Sequence, residues 1–183
     1  MTHINPWKKY GSRVVYENPW IKVREDQVIG PSGHASIYGV VDTRIATGVV
    51  ALTPDNQVYL VGQFRYPTDE YSWEIIEGGA DEAENPLETA KRELREEAGL
   101  KAGYWIQLGG ECHLSNCFSS EVGYLYLARD LKEVGSQPDE TEILELKKVP
   151  FKECLRMVET GEIKDAITII AIFRAERLLF KGG

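Results

Sequence analysis

Gly78-Gly79-Ala80-Asp81-Glu82-Ala83-Glu84-Asn85-Pro86-Leu87-Glu88-Thr89-Ala90-Lys91-Arg92-Glu93-Leu94-Arg95-Glu96-Glu97-Ala98-Gly99-Leu100 is the stretch whose reading decides the fold. Asn85 suits an N-cap, Pro86 the first helical position, and Glu88 the place of a capping-box partner. The helix should run to about Ala98, with Gly99 as a left-handed stop. On that helix Leu87, Ala90, Leu94 and Ala98 form one apolar stripe directed at a core. Glu93 and Glu97 are four apart and Glu96 is three from Glu93, so their side chains converge beside the stripe. Like charges at this spacing destabilise a helix by a few tenths of a kcal/mol per pair, roughly, unless something neutralises them. A lone glutamate pair reads as a solvated acidic face. A cluster of three suits a hard divalent cation such as Mg²⁺, which takes oxygen ligands.

Upstream, Gly48 to Leu52 and Gln57 to Val61 are apolar runs separated by Pro54-Asp55-Asn56, which reads as a hairpin turn. Earlier still, Val14 to about Val41 reads as short strands. Trp20 to Arg24 alternates, Gly30-Pro31-Ser32-Gly33 is a turn, and Ser36 to Val41 is a further strand. This zone has too few apolar residues to build a core of its own. Downstream, strands are expected at Trp105 to Leu108, Val122 to Ala128 and Ile143 to Val149. Two helices follow: Phe151 to Glu159, stopped by Gly161, and a helix capped by Asp165 that runs to about Phe180. Helices fall between and after strands without regular βαβ alternation. The expected class is α+β, with a mixed β-sheet between helices. The division expected is residues 1–45 as an N-terminal strand region and 46–183 as the main domain.

With 183 residues, 43% of them hydrophobic, the chain is large enough to bury one sizeable core. A formal net charge of −8 argues against general nucleic-acid binding, which needs a basic stripe. An acidic protein that handles a phosphate substrate must overcome repulsion locally, and a bound metal does this. Cys112, Cys117 and Cys154 cannot all pair and lack CxxC spacing, so a reducing cytoplasm is expected. The first ten residues are polar and do not read as a secretion signal. The longest apolar run, about Ile167 to Phe173, is far short of a membrane span.

Gly78, five residues, Glu84, seven residues, then Arg92-Glu93-Leu94-Arg95-Glu96-Glu97-Ala98-Gly99-Leu100 resembles a complete Nudix box. Seven specified residues and two aliphatic positions would coincide by chance about once in ten million chains of this length. The resemblance implies a Nudix fold and hydrolysis of a nucleoside diphosphate linked to another group. It implies Glu93 and Glu97 as principal metal ligands, with Glu96 on a further metal or a bridging water. The backbone carbonyl of Glu77 is implied as an additional ligand, with Mg²⁺ as the cofactor and Mn²⁺ as a substitute. Arg92 would orient a ligand carboxylate through its planar fork. Glu84 would be structural or support the ligands from behind, and Gly78 and Gly99 would serve backbone geometry.

More of the chain, from about Tyr16 to Phe180, is similar to the ADP-ribose and nucleoside-diphosphate-sugar pyrophosphatase branch. Asn18-Pro19-Trp20-Ile21, Gln63-Phe64-Arg65-Tyr66-Pro67, Trp73-Glu74 and Gly161-Glu162-Ile163-Lys164-Asp165-Ala166 carry that similarity. It implies a homodimer through an N-terminal antiparallel sheet, each site borrowing residues from the other subunit. Trp20 is then a nucleobase platform or, equally, core or dimer packing. Arg65 and Glu74 are expected to contact substrate, Arg65 at the diphosphate; the alternative for Arg65 is a surface ion pair. In Pro138-Asp139-Glu140-Thr141-Glu142 the family's acidic loop places Glu140 as general base and Glu142 as runner-up. The sequence departs from the branch at Leu114 to Glu121, where Asn116-Cys117 stands in place of Pro-Gly. Action on nucleotide sugars beyond ADP-ribose is therefore expected. Cys117 there reads as a packed thiol. The alternatives are a Nudix hydrolase of dinucleoside polyphosphates, oxidised nucleotides or capped RNA, and a non-catalytic nucleotide-binding Nudix module. Retention of Glu93, Glu96 and Glu97 weighs against the module, and net acidity against RNA.

Overall fold

The computed structural model describes residues 2–135 and 143–180. By internal contacts the chain divides into two units, Met1–Arg44 with His113–Glu121, and Ile45–Cys112 with Val122–Gly183.

The first unit is a three-stranded antiparallel sheet in the order β1 (Lys8–Glu17), β2 (Ile21–Ile29), β3 (Ala35–Thr43). Gly33, at φ 80, closes the turn between β2 and β3 by donating its N–H to the Gly30 carbonyl at 2.9 Å. The alternation read in Trp20 to Arg24 does build a strand, and β1 extends it to a third that starts well before Val14. Trp7, Tyr10, Val14, Tyr16 and Ile37 stay exposed, as a sheet with too few apolar residues to cover itself requires. Polar groups organise it instead: Asp26 accepts from Ser12 at 2.5 Å and pairs with Arg24, which also reaches Asp42 at 2.8 Å.

The second unit holds a mixed sheet and a smaller antiparallel one. The mixed sheet runs β7 (Ile76–Gly79), β4 (Ala46–Ala51), β10 (Val122–Glu133), β8 (Leu100–Gln107), with the two-residue β9 (Cys112–His113) beside β10. β4 pairs parallel with β10 and antiparallel with β7. The smaller sheet runs β11 (Glu145–Pro150), β5 (Gln57–Arg65), β6 (Glu70–Glu74). Among the described residues three helices complete the unit: α1 (Pro86–Ala98), α2 (Phe151–Glu159) and α3 (Ala166–Phe180).

β4 shows why the sheet lies between helices. Val49 and Ala51 pack with Ala90, Leu94 and Ala98 of α1, while Gly48 lies against Ile167 of α3. Successive residues of a strand face opposite sides, so helices cover both faces of β4. A strand buried on both faces reads as a continuous apolar run. That is also why the expected hairpin does not form. β4 and β5 belong to different sheets, and beyond the end of β4 the chain makes the isolated bridge Leu52–Val58. The turn chemistry is nevertheless present: the Asn56 N–H donates to the Thr53 carbonyl at 3.0 Å, with Asn56 at φ 57. Turn residues set a local reversal, whereas the pairing partner is set by burial across the domain.

Candidate metal and diphosphate site

Helix α1 begins and ends where its sequence signals say. The Asn85 side chain accepts from the Leu87 N–H at 2.9 Å, Pro86 follows, and Gly99 ends the helix in the left-handed region at φ 66. Glu88 pairs with Lys91 at 2.7 Å. Ala90, Leu94 and Ala98 are buried, which fixes the rotation of the helix and so the direction of its glutamates. Replacing Leu94 by Ala would cost about 2–5 kcal/mol, enough to loosen that rotation.

Arg92 is the hub of the cluster. Its fork donates to Glu84 through Nε at 3.2 Å and Nη2 at 3.1 Å. Nη1 donates to Glu93 at 2.7 Å and Glu96 at 2.9 Å, and Nη2 also donates to the Gly79 carbonyl at 3.0 Å. One guanidinium thus offsets the repulsion among the carboxylates and ties the helix to the end of β7. The bidentate contact expected of Arg92 falls on Glu84. Its hydrogen bonds hold the Glu84 carboxyl down to about 2, while the surrounding carboxylates raise the Arg92 guanidinium further above its ordinary value.

Glu97 is buried, and its Oε2 accepts from the Glu77 N–H at 3.1 Å. In an antiparallel ladder a residue's N–H and C=O point to the same side, so the Glu77 carbonyl faces away from β4 as its amide does. Gly78 answers a need for space. A Cβ built there would lie 2.0 Å from Glu93 Cδ and Oε1, and Gly78 does not adopt the left-handed backbone. The backbone-geometry reading of Gly78 is therefore corrected to close approach; Gly99 keeps its backbone role.

The Glu77 side chain turns toward α3, where its Oε1 accepts from the Thr168 hydroxyl at 2.9 Å. Burial first, then the charge of Asp165, pushes its carboxyl well above the ordinary range. On β5 and β6, Arg65 donates from Nε to both oxygens of the buried Glu74, at 3.0 and 3.2 Å, and Nη2 adds a third bond. The hydrogen bonds to Glu74 hold the Arg65 guanidinium in its charged form. A cavity of about 500 Å³ is lined by Arg65, Glu70, Tyr71, Glu74, Lys164 and Asp165.

The structure thus gathers Arg92, Glu93 and Glu96 at one hub, links Glu97 to the Glu77 backbone, and pairs Arg65 with Glu74 beside a cavity. Trp20 belongs to the first unit and is 70% exposed. Glu140 and Glu142 lie outside the described residues. Sequence reasoning missed Thr168, which sits in an apolar helix, and named Asp165 as a cap and as part of the Gly161–Ala166 stretch without a role at the site. Asp165 does cap, accepting from the Thr168 N–H at 2.7 Å. Cys117 is exposed rather than packed. Its loop is held through the backbone, with Ser119 N–H on the Ser115 carbonyl and the Tyr38 hydroxyl on the Cys117 carbonyl, so the thiol is left outside.

A hard divalent cation takes oxygen ligands, and Glu93, Glu96 and Glu97 offer carboxylate oxygens of that kind. The close seat of Glu93 on Gly78, which a Cβ would fill, is the observation that ties this set to one place. In the arrangement described, Arg92 and the Glu77 amide engage these oxygens. Among the described residues, no group of three or more His, Cys, Asp or Glu is arranged to hold an ion. No helix among them is long and apolar enough to cross a membrane.

A carboxylate-lined helix packed on a mixed α+β sheet, with its arginine hub and glycine seat, defines a Nudix-type hydrolase domain. The comparisons with known proteins give the family. Residues 42–169 match the NUDIX domain, and residues 7–41 match the nucleoside diphosphate sugar hydrolase N-terminal domain. The chain belongs to the Nudix family, whose hydrolases generally require a divalent metal. It is 31% identical over 167 residues to the ADP-ribose pyrophosphatase of Bacillus subtilis (strain 168), covering 90% of each chain. It is 34% identical over 164 residues to the ADP-ribose pyrophosphatase of Mycobacterium tuberculosis (strain ATCC 25618 / H37Rv), covering 88% of this chain and 79% of that one. A crystal structure of an ADP compounds hydrolase superposes with a TM-score of 0.87 at 22% identity, covering 100% of this chain and 99% of that one. That likeness speaks for the fold.

Proposed function

We propose that this protein hydrolyses the diphosphate bond of ADP-ribose or a related nucleoside diphosphate sugar, releasing a nucleoside monophosphate and a sugar phosphate. The observation that carries the reading is the joining of the box carboxylates to the Glu77–Gly79 backbone through Arg92 and Glu97. The ADP-ribose pyrophosphatases among its relatives and the match to a nucleoside diphosphate sugar hydrolase N-terminal domain support the substrate class. The substitution of Asn116-Cys117 for Pro-Gly favours nucleotide sugars beyond ADP-ribose.

Glu93, Glu97 and Glu96 would hold Mg²⁺ together with the Glu77 carbonyl. Mg²⁺, or Mn²⁺ in its place, supplies charge neutralisation at the non-bridging oxygens and a more acidic water. Arg92 keeps Glu93 and Glu96 from repelling one another and holds their carboxylates at the end of β7. Glu84 orients Arg92. Arg65, already held in charged form by Glu74, faces the diphosphate, and Glu74 keeps the guanidinium plane in place. Glu140 takes the proton from the attacking water, with Glu142 as the alternative base. Trp20 stacks on the nucleobase. Exposed Tyr10, Val14, Tyr16 and Ile37 support a homodimer built through the N-terminal sheet.

Incubation with Mg²⁺ and ADP-ribose, with AMP resolved by chromatography, tests the activity. A panel of nucleotide sugars scored by released phosphomonoester then ranks substrates. No AMP and no phosphomonoester from any member would overturn the proposal. Sedimentation that shows a monomer at every concentration would remove the dimer.

A further inference from the structure

Thr168 is fully buried on α3, and its hydroxyl is used twice. It accepts from the Ile75 N–H at 3.0 Å and donates to Glu77 Oε1 at 2.9 Å. A hydroxyl can do both at once, and its rotor orients to suit. Its own amide is fixed by Asp165 Oδ2 at 2.7 Å, which locks the residue into the first turn of α3. The same three-residue segment, Ile75 to Glu77, is held from α1 by the bond from the Glu77 N–H to Glu97 Oε2 at 3.1 Å. Two helices therefore clamp the segment, one through Thr168 and one through Glu97. The Glu77 carbonyl follows directly on the clamped Glu77 amide, in a residue whose side chain Thr168 also holds.

We infer that Thr168 is a positioning residue for the metal site: its hydroxyl fixes the Ile75–Glu77 backbone, and with it the Glu77 carbonyl and the Glu97 carboxylate. This rests on the reading of Glu77 and Glu97 as metal ligands given above. The chemistry needs such a device. Mg²⁺ demands near-ideal octahedral geometry, and a backbone carbonyl cannot change rotamer to meet it. A carbonyl ligand must be placed by whatever holds its strand. Glu77 lies on β7, the edge strand of the mixed sheet, with Ile75 just before it, and among the described residues no further strand pairs with β7 on its outer side. Side chains that support ligands in this way are commonly worth about 10–100-fold in metal affinity.

The test uses the full chain with Mn²⁺ as probe, its affinity measured by electron paramagnetic resonance of the free ion. Thr168→Val keeps the shape and removes both hydrogen bonds; Thr168→Ser keeps the hydroxyl and removes the methyl. Thr168→Val should weaken Mn²⁺ binding by about tenfold or more, and Thr168→Ser should bind within about twofold of wild type. In the metal-free protein, hydrogen exchange at the Ile75 and Glu77 amides should accelerate in Thr168→Val and not in Thr168→Ser. If Thr168→Val does not fold, Thr168→Ala is read in its place. Wild-type binding and wild-type exchange in the hydroxyl-free variant overturn the inference and leave the metal reading standing. Equal weakening in Thr168→Ser also overturns it, since packing of the methyl would then be the cause. A wild-type protein that binds no Mn²⁺ overturns the metal reading and this inference together.

Discussion

Replacing Gly78 by Ala puts the metal assignment under a graded geometric load. A Cβ at that position would lie 2.0 Å from Glu93 Cδ and Oε1 and 2.5 Å from Cγ, whereas ordinary contact begins near 3.4 Å. Glu93 must give way by about 1.4 Å to restore ordinary contact. What moves is the far end of a flexible side chain, and the Gly78 backbone is one that alanine adopts, so the fold should survive. A misplacement of about 1 Å at a reacting centre costs on the order of 10²-fold in rate. The expected loss is therefore about 100-fold in kcat with ADP-ribose, or about 2.7 kcal/mol of transition-state stabilisation. Part of it should return as Mg²⁺ is raised, because the displaced carboxylate binds metal more weakly. Steady-state kinetics across a Mg²⁺ series, beside a thermal melt, reads both quantities. Gly110→Ala is the control, since a Cβ there meets nothing within 4 Å. Wild-type kcat and an unchanged Mg²⁺ requirement in Gly78→Ala would refute the placing of Glu93 among the ligands.

Three further outcomes are expected. Glu97→Gln should lower turnover by several orders of magnitude while the chain stays folded; near wild-type turnover at saturating Mg²⁺ would count against Glu97 as a ligand. Glu140→Gln should slow the chemical step by about 10²–10⁴-fold with little change in substrate affinity, and by less at high pH, where hydroxide replaces the base. Glu142→Gln should do less than Glu140→Gln, and full activity in both would move the base elsewhere, with Glu96 next. For pH, the Glu84 carboxyl is lowered from 4.5 to about 2 by the Arg92 hydrogen bonds. The folded state then holds this proton less tightly than the unfolded chain. The stabilisation is present above about pH 4.5 and is lost as pH falls toward 2. Acid denaturation of Arg92→Gln should show a shallower loss across that window, and an identical profile would deny the coupling.

The box helix was legible in the sequence because everything that makes it is local. Asn85, Pro86 and Gly99 set its ends within a residue or two of where they act, and the i, i+4 spacing of Glu93 and Glu97 needs no distant partner. The α+β class followed from the order of such local signals. Arg92 shows where legibility stops. Its fork was foreseen, but Glu84, eight positions earlier in the chain, is its bidentate partner, because the chain from Gly79 to Asn85 brings that carboxylate back over the helix.

The pairing of strands was settled by tertiary structure. Gly48 to Leu52 and Gln57 to Val61 flank a sound turn, yet β4 joins β7 and β10 while β5 joins β6 and β11. A strand's partner depends on which faces helices bury, and no window of neighbouring residues contains that information. Thr168 is the sharpest case. In the sequence it is a threonine among isoleucines, 91 residues from Glu77. Burial makes its hydroxyl matter, for an unpaired polar group in a dry interior is costly and its partners must be met. Those partners are the Ile75 amide and the Glu77 carboxyl, which reach it only after α3 has packed on the sheet.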